Sequence, residues 1–195
     1  MKVKEHPEFA RLLAAMKVAV SRVYPWTGTI YRSAPPKWAA GRDMLTGRGN
    51  MASGARFNAP GSYPAVYGST TPELAMMETL AYQRRAGLPV EQAMPLVFKA
   101  ISVKVERLLD LRNPDVLASL GTTIDQLRTE SWWLFRARGE ESLTQAIGRA
   151  AHACRVQAIL APSAHSPDHG HNIIVLPDHL HPPSRLIVLR RTAMP

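Results

Sequence analysis

A cation, an amide, an aromatic ring and a carboxylate fall within one short stretch of the chain, GARFNAPGSYPAVYGSTTPELAMMETLAY, from Gly54 to Tyr82. Arg56 and Asn58 sit in its glycine-rich opening, Tyr67 and Ser69 end a short apolar run, and Glu78 lies in the helical segment that follows. An arginine fork suits phosphate or carboxylate oxygens, so the chemistry on offer is the handling of an anionic ligand. Gly54 and Gly61 permit backbone conformations closed to other residues and Pro60 fixes φ, which gives the loop a defined shape. Taken alone, the same residues also describe a loop, an edge strand and a solvated helix, and partners from elsewhere in the chain must decide.

The elements that would position them follow from periodicity. Phe9, Leu12, Leu13, Met16, Val20 and Val23 recur at three- and four-residue steps, predicting an amphipathic helix from Pro7 to Tyr24 that Pro25 stops. Residues 28–34, GTIYRSA, read as a short strand carrying Tyr31 and Arg32 and ended by Pro35-Pro36. Residues 38–50 hold three glycines and two arginines with few apolar anchors, the composition of a mobile loop, a kind of segment that often covers sites. Residues 63–69 form a strand, and Thr70-Thr71-Pro72-Glu73 is a helix start whose helix ends near Arg85. Glu78 follows Leu74 by four residues, which puts its carboxylate beside the apolar face of that helix.

Further strands are expected at 95–105, with 108–111 continuing after a bend, and at 156–160, 172–176 and 185–189. Short helices anchored by Trp132-Trp133 fill 113–138, and a longer helix covers 140–155 with Gln145 off its apolar face. The pattern is α+β: one compact domain with a mostly antiparallel or mixed central sheet and flanking helices.

A chain of 195 residues with 46% hydrophobic content suits one core. The net charge of +9 rests mainly on arginine, which fits a phosphate-bearing ligand, an acidic partner protein or nucleic acid. The basic residues are scattered without an interleaved aromatic platform, so direct nucleic-acid binding is not expected. Cys154 is the sole cysteine, excludes an intramolecular disulfide and reads as a core thiol. With no apolar run of membrane-spanning length, the expectation is a cytoplasmic protein.

Five of seven histidines lie between His165 and His181, but their spacing is not that of a zinc site, and no metal is expected. Ser163 lacks a nucleophile elbow, and neither a Walker loop nor a dinucleotide glycine fingerprint is present. What remains is an ordered set: Tyr31-Arg32, the GARFN loop, Tyr67 and Ser69, Glu78, Gln145, Pro162-Ser163 and Asn172.

In that order the chain resembles the RES domain family, named for arginine, glutamate and serine, whose members are toxins of bacterial toxin–antitoxin pairs. The resemblance runs from Gly28 to Leu189 through GARFN, VYGSTTPELAMMET, LTQAIG, ILAPSA and HNIIVL. It implies an ADP-ribosyltransferase-like fold, with residues 1–27 an N-terminal helical extension and 28–195 the RES domain. It implies action on NAD+ as substrate, by hydrolysis, phosphorolysis or transfer of ADP-ribose to a protein. Arg32, Glu78, Ser163 and Tyr67 become the catalytic candidates, and Tyr31, Arg56, Asn58, Ser69, Gln145 and Asn172 the candidate dinucleotide contacts. Glu73 is a rival to Glu78, better suited to capping its helix. The implied partner is an Xre-like antitoxin with a helix-turn-helix domain, with which the chain would assemble. The competing class is a non-enzymatic basic module that binds nucleic acid or an acidic protein.

Overall fold

The computed structural model describes residues 3–36, 39–40, 43–85, 87, 89, 91, 94–164 and 170–189. Its elements run α1 (Phe9–Ala19), β1 (Tyr24–Ala34), α2 (Asp43–Thr46), α3 (Arg48–Ser53), β2 (Val66–Ser69), α4 (Pro72–Arg85) and β3 (Val97–Asp110). They continue as α5 (Pro114–Leu120), α6 (Ile124–Thr129), α7 (Trp132–Ala137), α8 (Leu143–Ala153), β4 (Ala158–Pro162), β5 (His171–Val175) and β6 (Arg185–Val188). The α+β expectation holds.

The sheet runs β1-β2-β5-β4-β3-β6, and β1 also pairs along β3, so five strands close on themselves. All pairs are antiparallel except β3 with β4. Side chains alternate across this curved sheet. Ile30, Val66, Val103, Leu160 and Val175, one from each of β1 to β5, meet in one buried cluster. Their neighbours Ile159, Ala161 and Ile174 face the other way, into a second core built with Leu12 and Met16 of α1, Leu117 and Leu120 of α5, and Ile147 and Ala151 of α8.

Closure is uneven. β1 follows β3 from Tyr24↔Leu108 to Ala34↔Val97, yet touches β2 at the single pair Tyr31↔Ser69. There the sheet splays, and the gap is the mouth of a cleft.

Several boundaries differ from expectation for identifiable reasons. The first helix ends at Ala19, followed by a 3₁₀ turn to Arg22, and Pro25 lies inside β1 instead of between elements. A register shift between Tyr24 and Trp26 makes this tolerable, because a bulge needs no ladder hydrogen bond from proline. The boundary drawn at residues 27 and 28 thus falls within β1, and α1 contributes fully buried Leu12, Met16 and Ala19. β3 is one unbroken strand where two were expected. The segment expected to be a mobile loop forms α2 and α3 over its described part, with buried Met44 as its anchor; Trp38, Gly41 and Arg42 lie outside the described residues. Cys154 is half-buried at the end of α8 and only packs against the core, and burial is the chief cause raising its thiol pKa.

Helix α8 starts with a reciprocal capping box, Ser142 with Gln145, and Gly148 one turn on lets the loop after α3 approach its backbone. A Cβ on Gly148 would stand 1.9 Å from the Phe57 carbonyl oxygen. Helix propensity alone favours alanine there by about 1 kcal/mol. Collision with a backbone atom costs more, typically about 1–3 kcal/mol for an overpacked site. Gly148→Ala is therefore expected to lower stability in urea unfolding; a neutral or stabilised variant would show that the loop is not pressed against α8.

Candidate active site

The splay between β1 and β2 opens into a cleft of about 900 Å³, at the upper end of the roughly 300–1,000 Å³ typical of ligand sites. One wall presents Tyr31 and Arg32 of β1, Tyr67 and Ser69 of β2, Glu78 of α4 and Asn172 of β5. The opposite wall is made by α2–α3 and by α6–α7.

Glu78 is held from two strands. Asn172 Nδ2 donates to its Oε1 at 2.7 Å and Ser163 Oγ, just past β4, donates to the same oxygen at 2.9 Å. Asn172 is aligned in turn by its Oδ1, which accepts from Ser69 Oγ at 2.9 Å. That bond follows from register, since Asn172 pairs with Ser69 on one side and Ala161 on the other. Glutamate, serine and asparagine, separated by up to 94 positions in sequence, thereby form one network. Glu73, the rival carboxylate, is exposed in the first turn of α4.

Arg32 lies beside this network. Its Nη1 donates to the Tyr67 carbonyl at 3.0 Å, and its Nε is buried with no partner among the described residues. Burial lowers its pKa from the usual guanidinium value. The Tyr67 phenol is engaged by the GARFN loop: it accepts from Phe57 N–H at 2.8 Å and donates to Asn58 Oδ1 at 2.9 Å. Burial pushes its pKa well up, so the hydroxyl stays neutral and what Tyr67 offers the cleft is its ring.

Three other candidates build the GARFN loop. Asn58 is fully buried, its Nδ2 donating to the Asn50 carbonyl at 2.7 Å. Gln145, also fully buried, accepts from Ser142 N–H at 3.2 Å and donates to the Ala55 carbonyl at 3.0 Å. Arg56 does line the cleft, but it donates through Nη1 to the Pro162 carbonyl at 2.9 Å and through Nη2 to the Leu127 carbonyl. It ties α6 to the end of β4, next to Ser163. Asn58, Gln145 and Ser163 are absent from the cleft lining, and Ser163 is linked to it by its bond to Glu78.

The second wall combines part of the 38–50 segment, expected from sequence to be of the kind that covers sites, with the α6–α7 residues, which were not expected at the site. Arg48, Asn50, Arg128 and Trp133 all face the cleft. Both tryptophans, read from sequence as anchoring bulk, border the cleft, Trp132 buried at 9% exposure and Trp133 42% exposed. Adjacent positions on a helix point about 100° apart, so the two indoles of this six-residue helix need not share one environment. Among the described residues no His, Cys, Asp or Glu cluster is arranged to hold a metal; His165 and His169 lie outside them.

Comparison with known proteins identifies a family and a fold. Residues 29–192 match the family model described as RES domain. The chain is 28% identical over 141 residues to proteins named NAD(+) phosphorylase MbcT from Mycobacterium bovis and Mycobacterium tuberculosis, covering 71% of this chain and 69% of theirs. Its fold is similar to a chain of the M. tuberculosis MbcT-MbcA toxin-antitoxin complex, with a TM-score of 0.73, 22% identity, and coverage of 92% of this chain and 90% of that one.

Removing the Tyr67 hydroxyl would leave the Phe57 N–H and Asn58 Oδ1 without their shared partner. An unsatisfied buried polar group costs about 1–3 kcal/mol. Tyr67→Phe is expected to lose stability in that range by urea unfolding; a change below about 0.5 kcal/mol would mean that the phenol does not hold the loop.

Proposed function

The chain belongs to the RES domain family, and from that premise we propose that its cleft binds NAD+ and breaks the bond between nicotinamide and ribose, with phosphate as the acceptor, so that the protein acts as a toxin restrained by an antitoxin. The observation that carries this reading is the Glu78 carboxylate, oriented by Ser163 and Asn172 at the edge of a cleft that also holds Arg32.

The bond breaks through an oxocarbenium-like state in which positive charge develops on the ribose. A carboxylate fixed beforehand stabilises that charge without having to reorganise during the reaction. Nicotinamide carries its positive charge while still attached, so it leaves as a neutral base with the bonding pair and needs no proton from the protein. Arg32 holds a phosphate of the dinucleotide, since a buried guanidinium with an unused donor is stabilised by an anionic ligand. The Tyr67 ring stacks on nicotinamide, while its neutral phenol takes no part as acid or base.

Phosphate as acceptor is favoured by the similarity to proteins named NAD(+) phosphorylase. Attack at the anomeric carbon would yield ADP-ribose phosphorylated at that carbon. An antitoxin partner is favoured by the similarity to a toxin–antitoxin complex; we place the helix-turn-helix and its DNA binding on that partner, which would cover the cleft. Among the described residues no helix is long and apolar enough to cross a membrane, and NAD+ as substrate suits action in the cytoplasm.

Purified protein incubated with NAD+ should release nicotinamide faster when phosphate is added, with the phosphorylated product visible by mass spectrometry. Release that ignores phosphate and yields plain ADP-ribose would replace phosphorolysis with hydrolysis; no release under either condition would defeat the proposal. Glu78→Gln keeps the shape and removes the charge, and should lower kcat by about 100- to 1,000-fold, the range seen when preorganised electrostatic stabilisation is lost. An unchanged rate in that variant would remove Glu78 from the mechanism.

A further inference from the structure

We infer that the α6–α7 wall, through Arg128 and Trp133, is the subsite for the adenosine half of the dinucleotide. The inference rests on the reading of the cleft as an NAD+ site and assigns the half of the ligand that Glu78 and Arg32 do not engage.

Arg128 lines the cleft, forms no hydrogen bond or ion pair among the described residues, and has its Nε buried without a partner. Several other arginines are engaged: Arg112 with Asp110, Arg149 with Glu5 and Glu141, Arg107 with the Cys154 and Arg155 carbonyls. A buried, unpartnered guanidinium nitrogen is costly unless a ligand satisfies it, and the ligand an arginine fork fits best is a phosphate.

Trp133 supplies an independent observation. An indole 42% exposed on a cleft wall presents a large apolar face to solvent, and an aromatic face stacks on a purine base. The helix cannot be turned to hide it, because Trp132 beside it is already packed.

The wall is held firmly. Arg56 fixes the Leu127 carbonyl at one end. At the other, Glu130 accepts from Leu143 and Thr144 N–H at 2.6 and 2.8 Å, capping α8. Contacts therefore lead from Glu78 to Ser163, across Arg56 to Leu127, and on along the chain to Arg128 and Trp133. Arg32 takes the phosphate on the nicotinamide side and Arg128 the one on the adenosine side.

Two fragments separate the halves: ADP carries adenine and both phosphates, and nicotinamide mononucleotide carries the other base with one phosphate. In calorimetric titration of the whole protein, Arg128→Ala and Trp133→Ala should each weaken ADP and NAD+ binding by about tenfold, the lower part of the range for a lost base stack. The mononucleotide should bind within about twofold of its original affinity. Should Trp133→Ala not fold, judged by its thermal transition, Trp133→Leu keeps apolar bulk without an aromatic face. Unchanged ADP affinity, or equal weakening of both fragments, would overturn the assignment. ADP binding that depends on these residues in a protein that releases no nicotinamide would sink the proposed reaction and keep the subsite. Nicotinamide release with NAD+ affinity intact in both variants would do the reverse.

Discussion

One oxygen of Glu78 receives hydrogen bonds from two different strands, and the cleft is organised by that convergence. Hydrogen bonds to a charged group contribute about 1.5–3 kcal/mol each, more than neutral ones. They orient the carboxylate, and they also tie α4 to the ends of β4 and β5. The same helix is also held by buried Leu74 and Ala75 and by the hydrogen bond that Thr79 shares with Ser33 of β1. The donor from β5 is fixed by pairing, because Asn172 stands opposite Ser69 and Ala161. A shift of one residue in that register would turn Asn172 to the other face and leave the carboxylate without one donor.

A second layer keeps the opposing loop in place without facing the ligand. Phe57 is buried, and its carbonyl accepts from Tyr63 Oη at 2.5 Å while its N–H donates to Tyr67. Gln145 and Asn58 satisfy the remaining backbone and amide groups of the turn. Arg56 then joins this loop to β4 and α6. The loop thus behaves as part of the core although it forms a rim of the cleft, which is how a site with no metal ligand cluster among the described residues keeps a defined shape.

Sequence patterns carried the strands and the longer helices because their apolar periods reflect faces that are buried: Ile173 and Val175 go to one core and Ile174 to the other, as alternation requires. Glu78 was identifiable from its place beside Leu74 on a helix. The roles of Arg56, Asn58 and Gln145 were not, because a polar side chain that contacts a ligand and one that binds a carbonyl have the same identity in sequence. Only their burial and partners separate them. Pro25 misled for a similar reason: it reads as a stop, and a register shift that no local pattern announces lets β1 run through it. The α6–α7 wall was missed because its function depends on which of two adjacent indoles is covered, a matter of tertiary packing.

The basic composition takes on a different meaning once these partners are known. A net charge of +9 suggests a polyanion-binding surface, yet much of the arginine is internal structure. Arg11 holds Glu8 and the Leu120 carbonyl, Arg149 lies 3.2 Å over the Phe9 ring while pairing with Glu141, and Arg56 bridges two carbonyls. Arg149 and Arg56 cannot leave the buried Glu141 carboxylate and the Pro162 and Leu127 carbonyls for a phosphate backbone without stripping those acceptors of a partner, at about 1–3 kcal/mol each. Arg32 and Arg128 differ in how little they are committed: both face the cleft, and among the described residues Arg32 gives one hydrogen bond, to the Tyr67 carbonyl, and Arg128 none. Positive charge that would be a weak, diffuse attraction on a surface becomes a directed demand for anions inside one cavity. Such a demand matches a compact ligand that carries its own phosphates better than an extended polyanion lying along the surface.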